Sequence, residues 1–440
     1  MPSEQILCAR WVIPVEPEGA VLRDHAVVIA EETIRAVLPT AEACRRHPNA
    51  EVIELPAHAL LPGFVNAHTH AAMALMRGLA DDLPLMRWLK EHIWPAESKH
   101  VSARFVEEGT RLACAEMLRG GVTCFNDMYF HAEAALEAVR AAGMRAALGM
   151  IVVEFPSGYA ADPDDYLAKG LALRDRARDL PLVSFCLAPH APYTVSDESL
   201  RKIARIAAEI DVPVHIHLHE TRDEIEQSLA THGVRPIERL ARLGLLGPGL
   251  IAVHAVHLEE AEIGLLARHA CSVVHCPSSN LKLASGFAPV ERLRRAGVNV
   301  ALGTDGAASN NRLDLMAEMR LCALLAKAVS GDAAAMPAHA ALRAATLGGA
   351  IALGLESKIG SIGEGKSADL VAVDFGAPEL SPCFDPVSHL VYAAGREHVS
   401  HVWVAGRLLV AAGKLETMTP DLLDSPVNLW QNALTAWAGH

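Results

Sequence analysis

No Cys-x-x-Cys pair occurs in this 440-residue chain, and its nine cysteines are odd in number and scattered. That pattern argues against a disulfide framework and fits reduced thiols. No uninterrupted apolar run is long enough to span a bilayer, and the opening Met1-Pro2-Ser3-Glu4-Gln5 is not a basic segment followed by an apolar one. The expectation is a soluble, cytoplasmic protein without a membrane partner. An excess of positive charge is also missing, since the net charge is −13 with His neutral. A long polyanion would be repelled, so no nucleic-acid polymer is expected as a partner, whereas a small neutral or cationic substrate fits. Charged residues make up 21% against 51% hydrophobic ones, which excludes a disordered chain and supplies a large core. What is plentiful is histidine, with 22 residues.

The length exceeds one ordinary domain and suits a barrel of roughly 250–300 residues with an accessory domain. Residues 5–60 read as short strands: Ile6–Ile13, Ala26–Ala30, Thr33–Leu38 and Glu51–Leu55. From Leu61 onward eight apolar runs alternate with amphipathic stretches: Leu61–Ala67, Thr123–Asp127, Ala146–Val152, Leu182–Pro189, Val212–Leu218, Leu250–Val256, Cys271–Cys276 and Val298–Thr304. Eight such strand–helix units predict a closed (β/α)8 TIM barrel. After about Leu355 strands return at Ala368–Asp374 and Val399–Val404, before a last helix near Pro420–Leu434. Neither β-rich flank can bury much core alone. The expected architecture is α/β: a barrel (residues 61–356) inserted into a small β-sandwich built from residues 1–60 and 357–440.

The first barrel run ends Asn66-Ala67-His68-Thr69-His70, and alternate strand residues share a face. The fifth reads Val214-His215-Ile216-His217-Leu218-His219-Glu220, so three histidines share a face and spacing does not say which of them binds an ion. The sixth gives His254 and the eighth ends Gly303-Thr304-Asp305-Gly306. All four groups fall at the carboxyl ends of strands, where barrel enzymes place their sites. Capping or surface histidines are the bland alternative. Imidazoles with a carboxylate suit Zn2+ or Fe2+ and are too nitrogen-rich for Mg2+ or Ca2+.

These segments, with Pro189-His190-Ala191-Pro192-Tyr193, His275-Cys276-Pro277-Ser278-Ser279-Asn280-Leu281-Lys282-Leu283 and Leu302-Gly303-Thr304-Asp305-Gly306-Ala307-Ala308-Ser309-Asn310-Asn311, resemble the amidohydrolase superfamily. More narrowly they resemble its 5′-methylthioadenosine/S-adenosylhomocysteine deaminases, over nearly the whole chain. The resemblance implies His68, His70, His217 and Asp305 as metal ligands, with His215 and His219 as barrel-interior or supporting residues. Binuclear relatives usually bridge two metals with a lysine at the end of strand four. Leu182–His190 contains none, so one divalent ion per chain is expected, Zn2+ first, with Fe2+ and Mn2+ also compatible.

The implied reaction is hydrolytic deamination of an adenine nucleoside to its 6-oxo form with release of ammonia. An ion at this site lowers the pKa of water towards roughly 7. Asp305 would accept the water's proton, His254 would polarise the attack, and Glu220 would deliver a proton to the ring. That last role requires the backbone to turn after Leu218, and the competing reading of Glu220 is a cap for a following helix. By the resemblance, Glu97 accepts from both ribose hydroxyls, while His190 and Ser309 contact the nucleoside. Relatives acting on S-adenosylhomocysteine use arginines on and after strand three, where this chain has Met150 and no arginine through Leu173. Met150, Ile151 and Phe155 are expected to favour a methylthio group. Homo-oligomers are compatible with this reading. Two rival readings stand beside it: a related barrel hydrolysing triazines, guanine or cytosine, and a non-catalytic metal-binding scaffold.

Overall fold

The protein was analysed as a computed structural model that describes residues 4–438; residues 1–3 and 439–440, which belong to the N-terminal and C-terminal expectations, lie outside the described residues. Strands from both ends of the chain share one sheet. β1 (Gln5–Val12), β2 (Leu22–Ala30), β3 (Thr33–Pro39) and β4 (Glu51–Pro62) come from the N-terminal side. The barrel strands follow as β5 (Phe64–Thr69), β6 (Val122–Asp127), β7 (Arg145–Val152), β8 (Val183–Pro189), β9 (Val214–Leu218), β10 (Leu250–His254), β11 (Ser272–His275) and β12 (Asn299–Leu302). β13 (Leu370–Asp374), β14 (Val399–Val404), β15 (Arg407–Ala411) and β16 (Lys414–Leu415) complete the first sheet, in the order β16-β15-β14-β13-β4-β1-β2-β3. The two ends are joined where β13 pairs with β4, Leu370 opposite Pro62 and Val373 opposite Ala59. Leu61 and Pro62 therefore belong to this sheet, and the first barrel strand starts at Phe64, because β4 runs on well past Leu55.

The second sheet runs β12 through β5 in sequence order, and its neighbouring strands pair in parallel. It closes by a hydrogen bond in which Asp305 N–H donates to His68 O at 3.1 Å. Helices between the strands coat the outside. Asp197–Ile210, for example, is capped by Ser196, whose hydroxyl accepts from Ser199 N–H, and buries Leu200, Ile203 and Ile206 on one face. Short side chains fill the interior: Val65, Cys124, Ala147, Ile251, Val274 and Ala301 form one buried cluster. At the barrel's amino end, Arg145 makes a double hydrogen bond to Asp369 at 2.9 and 3.0 Å and ties the barrel to the outer sheet. No helix of the described residues is long and apolar enough to cross a membrane.

Candidate metal centre and substrate cavity

The histidine positions follow from strand ends that bend. His219, His254 and Asp305 all have positive φ, at 54°, 71° and 61°. Left-handed backbone at residues with a Cβ costs about 1–3 kcal/mol each and persists only where surroundings over-determine it. Here it breaks the strand alternation at the barrel's carboxyl mouth. His70 lies just beyond β5, at the start of the short helix Ala71–Met76, and still reaches His68, with ring centroids 4.8 Å apart.

One donor atom from each of His68, His70, His217 and Asp305 lies within 4.8 Å of the others. His68 Nε2 is 3.2 Å from both Asp305 Oδ1 and His217 Nε2, and His70 Nε2 is 3.3 Å from Asp305 Oδ1. The far side of each ring is held. His70 Nδ1 donates to Met128 O at 2.6 Å and His217 Nδ1 to His190 O at 2.7 Å. His68 Nδ1 faces His215 Nε2 at 2.9 Å. Donation through Nδ1 leaves the Nε2 lone pairs facing inward, as metal-ligating imidazoles require. Two buried Nε2 lone pairs 3.2 Å apart repel unless a cation lies between them, so the donor set fits a divalent ion. Burial drives His217 and His215 well below the usual imidazole range and His68 to about 4, which favours the neutral, ligating form. Burial opposes protonation of His70 too, but Asp305 outweighs it and lifts that group to about 9. The buried carboxylate thus demands positive charge at this point. Its Oδ2 accepts from Ser279 Oγ at 2.6 Å and from Ser309 Oγ at 2.7 Å, which turns Oδ1 towards the histidines.

The amidohydrolase family profile matches residues 59–409. The chain belongs to the amidohydrolase family. It is 48% identical over 430 residues to the 5-methylthioadenosine/S-adenosylhomocysteine deaminase of Teredinibacter turnerae, covering 98% of this chain and 97% of that protein. It is 47% identical over 435 residues to the protein of the same name from Saccharophagus degradans, covering 99% and 98%. Among solved structures it is similar to a zinc-bound adenosine deaminase from Xanthomonas campestris, with a TM-score of 0.97, 50% identity and 98% of each chain covered. The zinc-complexed atrazine chlorohydrolase of Arthrobacter aurescens shares the fold, with a TM-score of 0.90 at 23% identity, over 97% of this chain and 99% of that one.

In this amidohydrolase His70, His217 and Asp305 of that cluster line a cavity of about 450 Å3. Glu97, His190, Glu220, His254 and Ser309 all reach its wall. His254 Nδ1 sits 2.8 Å from Asn280 Oδ1, and its Nε2 is 3.8 Å from Glu220 Oε2. Burial pushes the Glu220 carboxyl up, against the lowering influence of His254. Glu220 leaves capping to others, because the helix Arg222–His232 is capped by Thr221, whose hydroxyl accepts from Glu224 N–H. Tyr129 donates to Glu97 Oε1 at 2.8 Å, and burial lifts Glu97 to about 7. His190 contributes its carbonyl to His217, while its Nδ1 contacts Thr194 Oγ1 at 3.0 Å.

Met150 is the correction. It does not line the cavity; its side chain faces the helix Pro163–Ala177, where a Cβ on Gly170 would lie 2.7 Å from Met150 Cβ. Strand alternation gives the reason: Met150 shares the outward face of β7, whereas Ile151, Val153 and Phe155 reach the cavity. No lysine or arginine occurs among the described lining residues. Arg145, at the start of β7, is spent on Asp369 at the opposite end of the barrel. Three supporting residues went unassigned in the sequence. Tyr129 is signalled by its place just after β6, whereas Ser279 and Asn280 lie in the segment His275–Leu283, whose pattern alone assigns them no role.

Proposed function

We propose that this amidohydrolase deaminates adenine nucleosides by hydrolysis, acting on 5′-methylthioadenosine and adenosine and more weakly on S-adenosylhomocysteine. The observation that carries the reading is one cavity with carboxyl groups at two stations, Glu220 beside the His/His/His/Asp cluster and Glu97 on the cavity wall. His68, His70, His217 and Asp305 hold one divalent ion, with Zn2+ the first choice. When bound, the ion supplies hydroxide near neutral pH.

Glu220, whose carboxyl burial pushes up, delivers a proton to N1 as negative charge builds on the ring. Asp305 receives the proton of the attacking water. His254, donating through Nδ1 to Asn280 Oδ1, presents Nε2 to that water and orients it. Glu97, steadied by Tyr129, accepts from the ribose 2′ and 3′ hydroxyls, and His190 and Ser309 border the nucleoside. Ile151, Val153 and Phe155 offer apolar surface to a 5′ substituent. The relatives at 47–48% identity carry names that agree with this chemistry. The test is a panel of adenine nucleosides incubated with purified protein and followed by ammonia release and loss of the adenine absorbance band. Turnover of 5′-methylthioadenosine and adenosine is expected; no ammonia from any member would overturn the reading.

A further inference from the structure

His219 stands where β9 ends, and its φ of +54° swings the next residue, Glu220, into the cavity. In an unbroken strand Glu220 would fall on the outward face with Ile216 and Leu218. A left-handed conformation is disfavoured for a residue with a Cβ, so something must hold it. The His219 ring is pinned on both sides: Nδ1 lies 3.1 Å from His257 O, and Nε2 accepts from Ile237 N–H at 3.1 Å. Its carbonyl accepts from Val256 and His257 N–H at 3.0 and 3.1 Å. The backbone of residue 220 is held differently. Glu224 Oε1 accepts from His219 N–H and Glu224 Oε2 from Glu220 N–H, both at 2.9 Å.

Glu224 is buried and occupies the third position of the helix Arg222–His232. In an ordinary capping box that acid reaches back to the N–H of the cap residue. Here it reaches the two residues before the cap, Glu220 and His219. Thr221-Arg222-Asp223-Glu224 therefore has the spacing of a capping box, with its acid committed to the backbone of the proton donor.

The geometry points to Glu224 as the positioning residue of Glu220: its two carboxylate oxygens fix the turn that aims the donor at the substrate ring. This rests on the reading of Glu220 as the proton donor. Gln at position 224 keeps the shape but places an N–H donor against a backbone N–H. The turn then loosens while the ligands at the ends of β5, β9 and β12 stay in place.

A double-mutant cycle tests it, with wild type, E224Q, E220Q and E224Q/E220Q each assayed for bound metal and for kcat and KM on adenosine. E224Q is expected to keep its metal, hold KM within about threefold and lose about 10–100-fold in kcat. The double variant should be no slower than E220Q alone, because a residue that acts through another adds nothing once that other is gone. Multiplying losses in the double variant, loss of metal in E224Q, or an unchanged kcat in E224Q would each overturn the inference. A failure of the underlying reading shows separately: E220Q at wild-type rate removes the donor itself, whatever position 224 does. Should E224Q fail to fold, E224D keeps the carboxyl group, falls one methylene short of bridging both N–H groups, and is read through the same cycle.

Discussion

At the amino end of the barrel, Arg145 and Asp369 bury a charge pair whose bonds are accounted for. The guanidinium meets the carboxylate at 2.9 and 3.0 Å and Ser367 Oγ at 3.0 Å, and Asp369 Oδ1 also accepts from Ala405 N–H at 2.9 Å. At the carboxyl end, His68, His217 and Asp305 are buried and His70 is partly so, and the four point their donor atoms at one another. The first arrangement is complete as protein and joins two sheets. The second leaves facing lone pairs that a divalent cation would satisfy, and one of its four residues, Asp305, has left-handed backbone. One barrel thus carries an end built for stability and an end built for chemistry.

The comparison can be broken from either side. Replacing a ligand should have the largest effect: His217→Ala is expected to lose the ion and all measurable turnover while the thermal transition persists. Elemental analysis beside a melting curve checks this, and an active, metal-loaded variant would remove His217 from the ligand set. Glu220→Gln comes next. It should keep the ion yet lose about 10²–10⁴-fold in kcat, the usual worth of a general acid. Near wild-type turnover would reduce Glu220 to a structural acid.

At the other end, Asp369→Ala strands a buried guanidinium and should cost about 3–5 kcal/mol of stability. Its kcat per folded molecule should stay close to wild type, as urea unfolding and active-site titration would show. A collapse of kcat in well-folded variant would mean that the two ends are coupled.

Smaller effects concern the cavity wall. Apolar surface with no lysine or arginine among the described lining residues should give 5′-methylthioadenosine at least a tenfold higher kcat/KM than S-adenosylhomocysteine, about 1.4 kcal/mol. Met150→Arg should not narrow that gap, since Met150 faces a helix; Val153→Arg, on the cavity wall, should. Smallest is a pH effect at Glu97. With its carboxyl raised to about 7, it is neutral below that pH and a charged acceptor above it. KM for adenosine should therefore rise as pH falls through about 7, while KM for 2′,3′-dideoxyadenosine, which lacks both hydroxyls, stays flat. Parallel profiles for the two nucleosides would take Glu97 off the ribose.

Much of this was legible in the sequence because period-2 patterning and strand-end placement carry it. The eight runs, the flanking strands and the resemblance in His68, His70, His217 and Asp305 need only local chemistry and a family likeness. Boundaries failed where two sheets share one stretch of chain: Leu61 and Pro62 look like a barrel strand but pair with β13. Met150 failed for a related reason, since an alignment position gives an address on a strand but not the face. The helices between His70 and Ala103, one of which carries Glu97, left no clean apolar period. The turn after Leu218 was anticipated as a need, yet its clamp, Glu224, becomes visible only when the backbone shows where its carboxylate goes.

The account stands on one ion held by four side chains at the barrel's mouth. Its most direct test is to strip the protein with a chelator, add back zinc in measured fractions of an equivalent, and record ammonia released from adenosine at each step. The account predicts no turnover without zinc, a linear rise to one equivalent per chain and no further gain. Full activity in the stripped protein, or a rise that continues to two equivalents, would contradict it.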